Sequence, residues 1–243
     1  MRAIRTKMEA DARAYDEVSG PQIESGVSFI DDLELHPGDK VLDMGCGTGH
    51  LTKYIADIVG PDGQAVGVDP DAERIKIAGE KSKEVSNLQF YVGSSAIGFP
   101  HDNEPYYDFH ISTSAFHWVS YEEKVIYIQK AYQCLKLGGR LAIWCSAAKF
   151  SDDEAAKAGL FSLTQEDYRD LFQKTGLFKN VLVEQRIFPY RFKSFDEFKR
   201  WFKASAHKDA IDYPNFIEKF VTMEGDGQVT FILPRVSITA CKS

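Results

Sequence analysis

The amino-acid sequence predicts an α/β fold in which helices cover both faces of a parallel β-sheet. Three observations lead to this prediction. Short apolar runs alternate with helical patterns over residues 40–146. The first apolar run ends in a glycine-rich loop that opens into a helix, and the second ends in a carboxylate. Because parallel strands need crossover connections, such alternation is typical of a parallel sheet.

The elements of this alternation can be placed in order. Residues 8–34 have a helical pattern that is interrupted at residues 19–21, where glycine and proline stand together. Strands and helices then take turns, and their predicted bounds are Lys40–Met44, His50–Val59, Ala65–Val68, Asp71–Val85, Leu88–Val92, Phe109–Thr113, Glu122–Leu135 and Arg140–Ser146.

The last third of the chain has the pattern of one more helix and two β-rich runs. The helix is expected over Thr164–Thr175, because Gly176 can close it in the left-handed conformation. Two long β-rich runs follow over Phe178–Phe188 and Gln228–Cys241. We expect both runs to form β-structure.

Three segments fall outside the alternating core and define the predicted domains. Residues 1–36 are expected to form an N-terminal helical lid, and residues 37–243 the main domain. Within that domain, residues 147–163 and 189–226 are expected as cap insertions. The second insertion is rich in aromatic and charged residues, which suits an amphipathic helix on the sheet edge or a cap over a ligand pocket.

Composition limits the classes of partner. The chain has 243 residues and a formal net charge of −7, which does not indicate a nucleic-acid surface. It contains no apolar run of membrane-spanning length and no signal-like start, so we expect a cytoplasmic protein without membrane or nucleic-acid partners. The four cysteines lack metal-ligand spacing, and we expect no metal site. The oligomeric state is left open.

The glycine-rich loop carries the strongest functional signal. Residues 43–49 read DMGCGTG, and glycine has no Cβ to keep a ligand away from the backbone. Dinucleotide-binding loops have their third glycine one residue later and direct a helix N-terminus at a pyrophosphate. Here Asp43 precedes the glycines, and a carboxylate suits a ligand with an ammonium group. This pattern disfavours a nicotinamide oxidoreductase.

A second carboxylate follows at the end of the next predicted strand. Asp69 lies about 20 residues beyond the glycines, where an acidic residue accepts hydrogen bonds from ribose hydroxyls. An N-cap carboxylate before Pro70 is the alternative interpretation.

These features together resemble class I S-adenosylmethionine-dependent methyltransferases. The segment Leu135–Leu141, LKLGGRL, is similar to the family's Leu-Lys-Pro-Gly-Gly motif before strand five, with Leu137 in place of the proline. The resemblance implies a Rossmann-like doubly wound sheet of seven strands, the last antiparallel, with a helical cap. It further implies that Phe178–Phe188 and Gln228–Cys241 form strands six and seven, one strand each. It also implies S-adenosyl-L-methionine as cofactor. Its ammonium group would be held by Asp43, directly or through water.

The resemblance implies a set of cofactor-binding residues. After strand three the family often has Gly-Asp-Ala, whereas this chain has Gly93-Ser94-Ser95-Ala96. The Ser94 hydroxyl would accept a hydrogen bond from the adenine amino group, although a weaker one than a carboxylate accepts. Helix capping is the alternative role of Ser94 and Ser95. The full predicted set is Tyr15, Gln22, Asp43, Gly45, Cys46, Gly47, Gly49, Asp69, Pro70, Ser94, Ser95 and Ser114.

The segment after strand four points to the acceptor. Residues 116–119 read FHWV, which differs from the Asn/Asp-Pro-Pro-Tyr/Phe motif of nucleic-acid amino-methyltransferases and lacks the acidic ligands of metal-dependent enzymes. It resembles small-molecule carboxyl methyltransferases of the juvenile hormone acid and trans-aconitate kind. That group also shows a Tyr and a Gln spaced like Tyr15 and Gln22. The resemblance covers residues 12–146 well and departs at residues 147–163.

The resemblance implies methyl transfer by in-line displacement to a carboxylate, which is ionised at pH 7 and needs no base. Gln22 and Trp118 would orient it as neutral donors, and His117 would act as a donor or, for another acceptor, as a base. A packed His117–Trp118 pair is the structural alternative. N- or O-methylation of an amine, N-heterocycle or phenol, and a non-catalytic methyltransferase-like binding protein, remain the competing functions.

Overall fold

The computed structural model describes residues 11–147, 160–206 and 208–243. The first helix, α1, includes residues 11–18. The later helices are α2 Gly20–Asp31, α3 His50–Val59, α4 Ala72–Lys81, α5 Tyr121–Cys134, α6 Gln165–Thr175, α7 Phe195–Ala206 and α8 Pro214–Phe220, with 3-10 turns at Phe116–Trp118 and Ala210–Asp212. The strands are β1 Lys40–Met44, β2 Gln64–Asp69, β3 Leu88–Val92, β4 Tyr107–Thr113, β5 Leu135–Ser146, β6 Lys179–Arg186, β7 Tyr190–Phe192, β8 Val221–Met223, β9 Val229–Phe231 and β10 Arg235–Cys241.

Seven of these strands form one sheet in the order β3-β2-β1-β4-β5-β10-β6. The first five in that order pair in parallel, and β10 pairs antiparallel with both β5 and β6. This arrangement confirms the expected Rossmann-like doubly wound sheet with its last strand antiparallel. The order reverses between β1 and β4, and ligands of such sheets bind at the carboxyl ends of the strands near that point.

The prediction of one strand over Gln228–Cys241 is wrong. The run forms two strands in two different sheets, β9 and β10. Pro234 separates them, and it cannot donate a hydrogen bond to a neighbouring strand. Ile232, two residues before Pro234, donates its N–H at 2.9 Å to the carbonyl of Phe220, the last residue of α8.

Alternate residues of each strand build two hydrophobic layers. Leu42 and Val66 face the layer closed by α5 and α6, whereas Val41 and Ala65 face the layer closed by α2 and α3. The two-residue period of a strand therefore explains why the runs are apolar throughout, since both faces of the sheet are buried.

The cap is a small α/β unit rather than a helix on the sheet edge. Strands β7, β9 and β8 form an antiparallel sheet against which α7 packs. Phe198, Trp201 and Phe231 are buried in its aromatic core. The strand at residues 229–231 lies beyond the predicted insertion, residues 189–226. Most of the other predicted insertion and the first ten residues of the predicted lid lie outside the described residues.

Membrane-spanning helices and metal-binding side-chain clusters are both absent from the described residues. None of their helices combines the length and apolar character needed to cross a bilayer. No group of three or more His, Cys, Asp or Glu side chains within them is placed to hold a metal ion.

Candidate active site

A cavity of about 580 Å³ opens at the carboxyl ends of the central strands. Its volume lies within the range of small-molecule and cofactor pockets. The glycine loop and β2 supply one end, through Gly45 and Asp69. The turn after β4 and the start of β10 supply the other, through His117 and Arg235, and Trp201 of the cap also lines it.

The glycine loop leaves no room for a side chain at Gly45 and little room at Gly47. A Cβ on Gly45, where φ is +80°, would lie 2.3 Å from the Cβ of Ala115. A Cβ on Gly47, where φ is +56°, would lie 3.3 Å from the ring of Tyr15. The left-handed backbone and these close approaches explain why glycine occupies both positions.

Asp43 is a buried carboxylate with one free oxygen. It is 1% exposed, and Thr52 Oγ1 donates to its Oδ2 at 2.7 Å. Among the described residues Oδ1 has no hydrogen-bond partner. Burial raises the pKa of Asp43 to about 7, with a further contribution from the charge of Asp69. Asp43 does not line the cavity, so a bound ammonium group would satisfy Oδ1 through a water or after a small movement of the loop.

Asp69 joins the glycine loop to the second strand. Gly47 N–H donates to Oδ2 at 3.0 Å and Asp71 N–H donates to Oδ1 at 2.9 Å. The N-cap of α4 is Asp71, which accepts from the N–H groups of Glu73 and Arg74. The helix-capping interpretation of Asp69 is therefore wrong. Its oxygens keep further lone pairs, and both Asp69 and Pro70 line the cavity.

Tyr15 of α1 covers the glycine loop. The Arg74 guanidinium lies over its ring, 4.2 Å from the centroid, and burial raises the pKa of Tyr15 to about 12. The adjacent Asp16 accepts from Lys81 at 2.5 Å and is 2.8 Å from His50 Nε2. These contacts attach α1 to the first two helices of the sheet domain, so Tyr15 is placed by its neighbour in sequence.

Gln22 connects the N-terminal helices to the cap. Trp201 Nε1–H donates to Gln22 Oε1 at 2.6 Å, and Gln22 Nε2 donates to Ser205 Oγ at 2.7 Å. One N–H of the amide remains for a ligand, and Gln22 lines the cavity.

The predicted cofactor residues divide into those that line the cavity and those that do not. Ser94 Oγ accepts from Ala96 N–H at 3.3 Å within a loop and caps no helix. The cavity-lining group is Tyr15, Gln22, Gly45, Asp69, Pro70, Ser94, Ser95 and Ser114. The group that does not line the cavity is Asp43, Cys46, Gly47 and Gly49.

His117 is buried in the 3-10 turn after β4. Ser146 N–H donates to its Nδ1 at 3.4 Å. Burial, with the nearby charges of Arg235 and Lys124, lowers the pKa of His117 well below its usual value. A neutral ring whose Nδ1 accepts must carry its proton on Nε2, so this nitrogen is a donor. The ring also packs at 43° against Trp118, with 5.1 Å between the centroids.

Lys124, which was not predicted from the sequence, binds the backbone next to this turn. Its ammonium donates to the carbonyls of Val119 and Phe161, the latter at 2.8 Å. Burial lowers the pKa of Lys124 to about 8. Phe161 in turn donates its N–H to the His117 carbonyl at 2.8 Å.

Arg235 was also missed. The side chain is 5% exposed and lines the cavity. It donates to Tyr190 Oη at 2.5 Å and to Ser114 Oγ at 2.6 Å, and its Nε has no partner among the described residues. The one sequence signal was a cation at the start of a buried, otherwise uncharged strand. Its partner Ser114 adopts a left-handed φ of +55°, a conformation uncommon for residues other than glycine.

Comparison with known proteins places this geometry in a family. The methyltransferase domain family matches residues 35–188. An uncharacterized methyltransferase of Anoxybacillus flavithermus is 32% identical over 163 residues, which cover 67% of this chain and 72% of that protein. The demethylmenaquinone methyltransferase of Staphylococcus carnosus is 32% identical over 107 residues, 44% of this chain. The match spans 43% of that relative's length, less than half.

Solved structures agree on the fold. The YcgJ protein of Bacillus subtilis superposes with a TM-score of 0.62 at 19% identity, covering 90% of this chain and 98% of that chain. A phosphoethanolamine N-methyltransferase 2 of Haemonchus contortus, solved in complex with S-adenosyl-L-methionine, gives a TM-score of 0.66 at 16% identity, covering 96% and 57%. With the glycine loop, Asp69 and the sheet order, these matches lead to one conclusion: the chain belongs to the S-adenosylmethionine-dependent methyltransferase family.

Proposed function

We propose that this protein transfers a methyl group from S-adenosylmethionine to the carboxylate of a small acid by in-line displacement, forming a methyl ester. The observation that carries the proposal is the state of His117. Its Nδ1 accepts from Ser146, and two buried cations oppose its protonation, so the ring donates and does not serve as a base. A carboxylate, with an ordinary pKa near 4, arrives ionised and needs no base.

The chain's residues fit the cofactor. The free oxygen of Asp43 suits an ammonium group, the backbone at Gly45 lies open to the cavity, and Asp69 offers lone pairs to ribose hydroxyls. Ser94 is available for the adenine amino group, and Tyr15 covers the loop. When bound, S-adenosylmethionine supplies a methyl group already activated by its sulfonium.

The acceptor end would work by orientation and exclusion of water. Neutral donors, His117 Nε2–H and Trp118 Nε1–H, would hold the reacting carboxylate without removing its charge. The cap, through Trp201 and Phe231, covers the cavity with apolar surface. Such positioning can account for roughly 7–11 kcal/mol of a barrier.

The test is a transfer assay with radiolabelled S-adenosylmethionine and panels of small acids, amines and phenols. We expect esters from acids, and a kcat at saturating cofactor that stays nearly flat from pH 6 to 9. His117→Gln, which keeps a donor, should retain more activity than His117→Ala. A rate that rises tenfold per pH unit would instead indicate an amine or phenol acceptor.

A binding experiment separates the enzyme from a non-catalytic binder. Calorimetric titration with S-adenosylmethionine should show affinity that falls tenfold to hundredfold in Asp69→Ala, since hydrogen bonds to a charged group contribute about 1.5–3 kcal/mol. Tight binding without transfer to any acceptor in the panel would support the binding-protein alternative.

A further inference from the structure

We infer that Arg235 binds a second anionic group of the acceptor, one that keeps its charge while a different carboxylate of the same molecule is methylated. The inference rests on the proposed function and specifies its substrate class as acids with two anionic groups. Arg235 is buried in the cavity wall, and its described hydrogen-bond acceptors are the neutral hydroxyls of Tyr190 and Ser114. Its guanidinium also lies over the rings of Trp144 and Tyr190, 5.1 and 5.6 Å from their centroids, and neither ring carries a negative charge.

A guanidinium in this position calls for an anion. Removing a cation from water is unfavourable unless an opposite charge compensates it. No described Asp or Glu forms a salt bridge with Arg235, and its Nε proton has no acceptor in the described part of the chain. Tyr190 is held in turn by Ser25 Oγ at 2.9 Å. These bonds fix the guanidinium in place. Of its five N–H groups two are used, Nε–H is buried without an acceptor, and one N–H on each terminal nitrogen is left for a ligand.

The sheet order assigns Arg235 to the acceptor and not to the cofactor. Asp43 lies on β1 and Arg235 on β10, three places apart in the order β1-β4-β5-β10. Adjacent strands are about 4.8 Å apart, so these two strands are separated by roughly 14 Å. The ammonium and carboxylate of the methionine group are attached to one carbon. The Arg235 side chain spans part of this separation, because it reaches Ser114 at the end of β4. The strand order favours the acceptor as the ligand of Arg235, and S-adenosylmethionine binding by the Arg235 variant tests this assignment.

The reacting carboxylate loses its negative charge during methyl transfer, so an anion that keeps its charge is the better ligand for Arg235. The attacking carboxylate oxygen forms the new O–CH₃ bond and becomes a neutral ester, while the S–CH₃ bond breaks and its electron pair stays on sulfur, with no proton moved. If Arg235 held that carboxylate, it would favour the reactant and be left buried and unpaired beside the product. An anion that stays charged is bound equally well before and after transfer.

The two anionic groups must lie close together. Ser146 is the register partner of Arg235, and the N–H of the same Ser146 bonds to His117. His117 offers the neutral Nε2–H for the reacting carboxylate, and Arg235 offers charge for the other. A short spacer therefore separates the two groups of the acceptor.

The first experiment compares matched pairs of acids: succinate, glutarate and adipate against butyrate, valerate and hexanoate. With the wild-type protein we expect kcat/KM for at least one diacid to exceed that of its monoacid about tenfold to hundredfold, the usual worth of a charged hydrogen bond. Arg235→Gln should abolish this preference through KM, so that kcat/KM for each diacid falls to that of its matched monoacid. Equal rates on both series in the wild type would overturn the inference.

Two further variants guard against misfolding. Arg235→Lys keeps the positive charge but loses the planar set of guanidinium N–H donors, and it should retain part of the preference for diacids over monoacids. Tyr190→Phe leaves the cap core packed and removes the hydroxyl that orients Arg235, and should weaken the preference. The loss of its two buried hydrogen bonds should lower the melting temperature by only a few degrees. If Arg235→Gln lowers the rates on monoacids and diacids alike, Arg235 holds the reacting group and the inference is wrong. If it instead weakens S-adenosylmethionine binding, Arg235 belongs to the cofactor.

Binding without turnover separates this inference from the proposed function. Calorimetry with glutarate on the protein saturated with S-adenosylhomocysteine should show affinity that Arg235→Gln removes. If no acid is methylated, the proposed function fails, and this titration still decides whether Arg235 forms an anion site. Equal glutarate affinity in both proteins would exclude such a site.

Discussion

At the scale of single residues, Asp43 shows how a buried group can oppose folding and favour binding. Burial raises its pKa to about 7, whereas a carboxyl in the unfolded chain titrates near 4. The folded protein therefore retains this proton between pH 4 and 7. A ligand ammonium group would favour the ionised form and reverse the shift.

The first prediction concerns stability without cofactor. Because the folded pKa of Asp43 is raised, its contribution to stability is complete below pH 4 and lost as the pH rises through 7. Relative to Asp43→Asn, the wild type should lose up to roughly 4 kcal/mol of unfolding free energy over that interval. Urea unfolding of both proteins at several pH values measures this, and a constant difference would refute it.

The second prediction concerns the cofactor. If the ligand binds only to ionised Asp43, affinity for S-adenosylmethionine should rise by up to about tenfold per pH unit from pH 5 to 7 and level off above. The ligand's own amino group, with a pKa near 8, then limits affinity at higher pH. Calorimetric titration should show the acid limb in the wild type and none in Asp43→Asn.

The third prediction tests the glycine loop. Gly45→Ala combines a left-handed φ of +80° with a Cβ placed 2.3 Å from the Cβ of Ala115. Gly138→Ala is the matched control, because its φ is +83° and no atom lies within 4 Å of the added Cβ. Both variants should lose about 1–3 kcal/mol to backbone strain, and Gly45→Ala more. Adding Ala115→Gly to Gly45→Ala should restore only the stability lost beyond that of Gly138→Ala, because it removes the contact between the two Cβ atoms. Calorimetric titration should show that cofactor affinity falls in Gly45→Ala and not in Gly138→Ala.

At the scale of elements, contacts distant in sequence join the N-terminal helices to the cap. Gln22 on α2 bonds to Trp201 and Ser205 on α7, which are separated from it by about 180 residues. Ser25 of the same helix bonds to Tyr190 at the start of the cap. The lid and the cap therefore close the cavity as a joined pair of elements.

The fourth prediction follows from this joint. Gln22→Ala should raise hydrogen exchange in both α2 and α7 and lower unfolding free energy by about 1–3 kcal/mol, the net value of two hydrogen bonds. Gln133→Ala, the same change on an exposed helical position, is the control and should have little effect. Faster exchange in α2 alone would show that the helices are not joined through Gln22.

At the scale of the whole molecule, the cap is inserted between neighbouring strands of the sheet. Arg186, which ends β6, and Arg235, which begins β10, are register partners. The chain leaves the sheet after one and returns at the other, having built a separate aromatic core. In the proposed function, the sheet domain would supply the cofactor site and the insertion would cover the acceptor.

The fifth prediction is that the insertion can be removed. Replacing residues 187–234 by Asn-Gly should join β6 to β10 as a two-residue hairpin, because that turn matches the twist of antiparallel strands. The variant should fold and keep cofactor affinity within about tenfold, while methyl transfer to any acid is lost. Calorimetry and the transfer assay measure the two properties, and loss of cofactor binding by a folded variant would place the cap in the cofactor site.

Prediction from sequence succeeded where the signal was local. The strand Lys40–Met44, the helix His50–Val59 and the left-handed Gly176 that closes α6 match their predictions, because residues close in sequence set them. It failed for the strand predicted over Gln228–Cys241, where hydrophobic pattern outweighed the break at Pro234. It also failed for Arg235, whose partner Ser114 is 121 residues away.

The sequence by itself determined the alternating α/β pattern, the glycine loop after β1 and the carboxylate at Asp69, which together indicate the methyltransferase family. Only the tertiary structure decided the hydrogen bond to His117 Nδ1, the free oxygen of Asp43 and the placement of Arg235 in the cavity wall. The reason is physical. Helices and turns follow from neighbouring residues, whereas desolvation, charge and hydrogen-bond satisfaction depend on atoms that only the folded chain brings together.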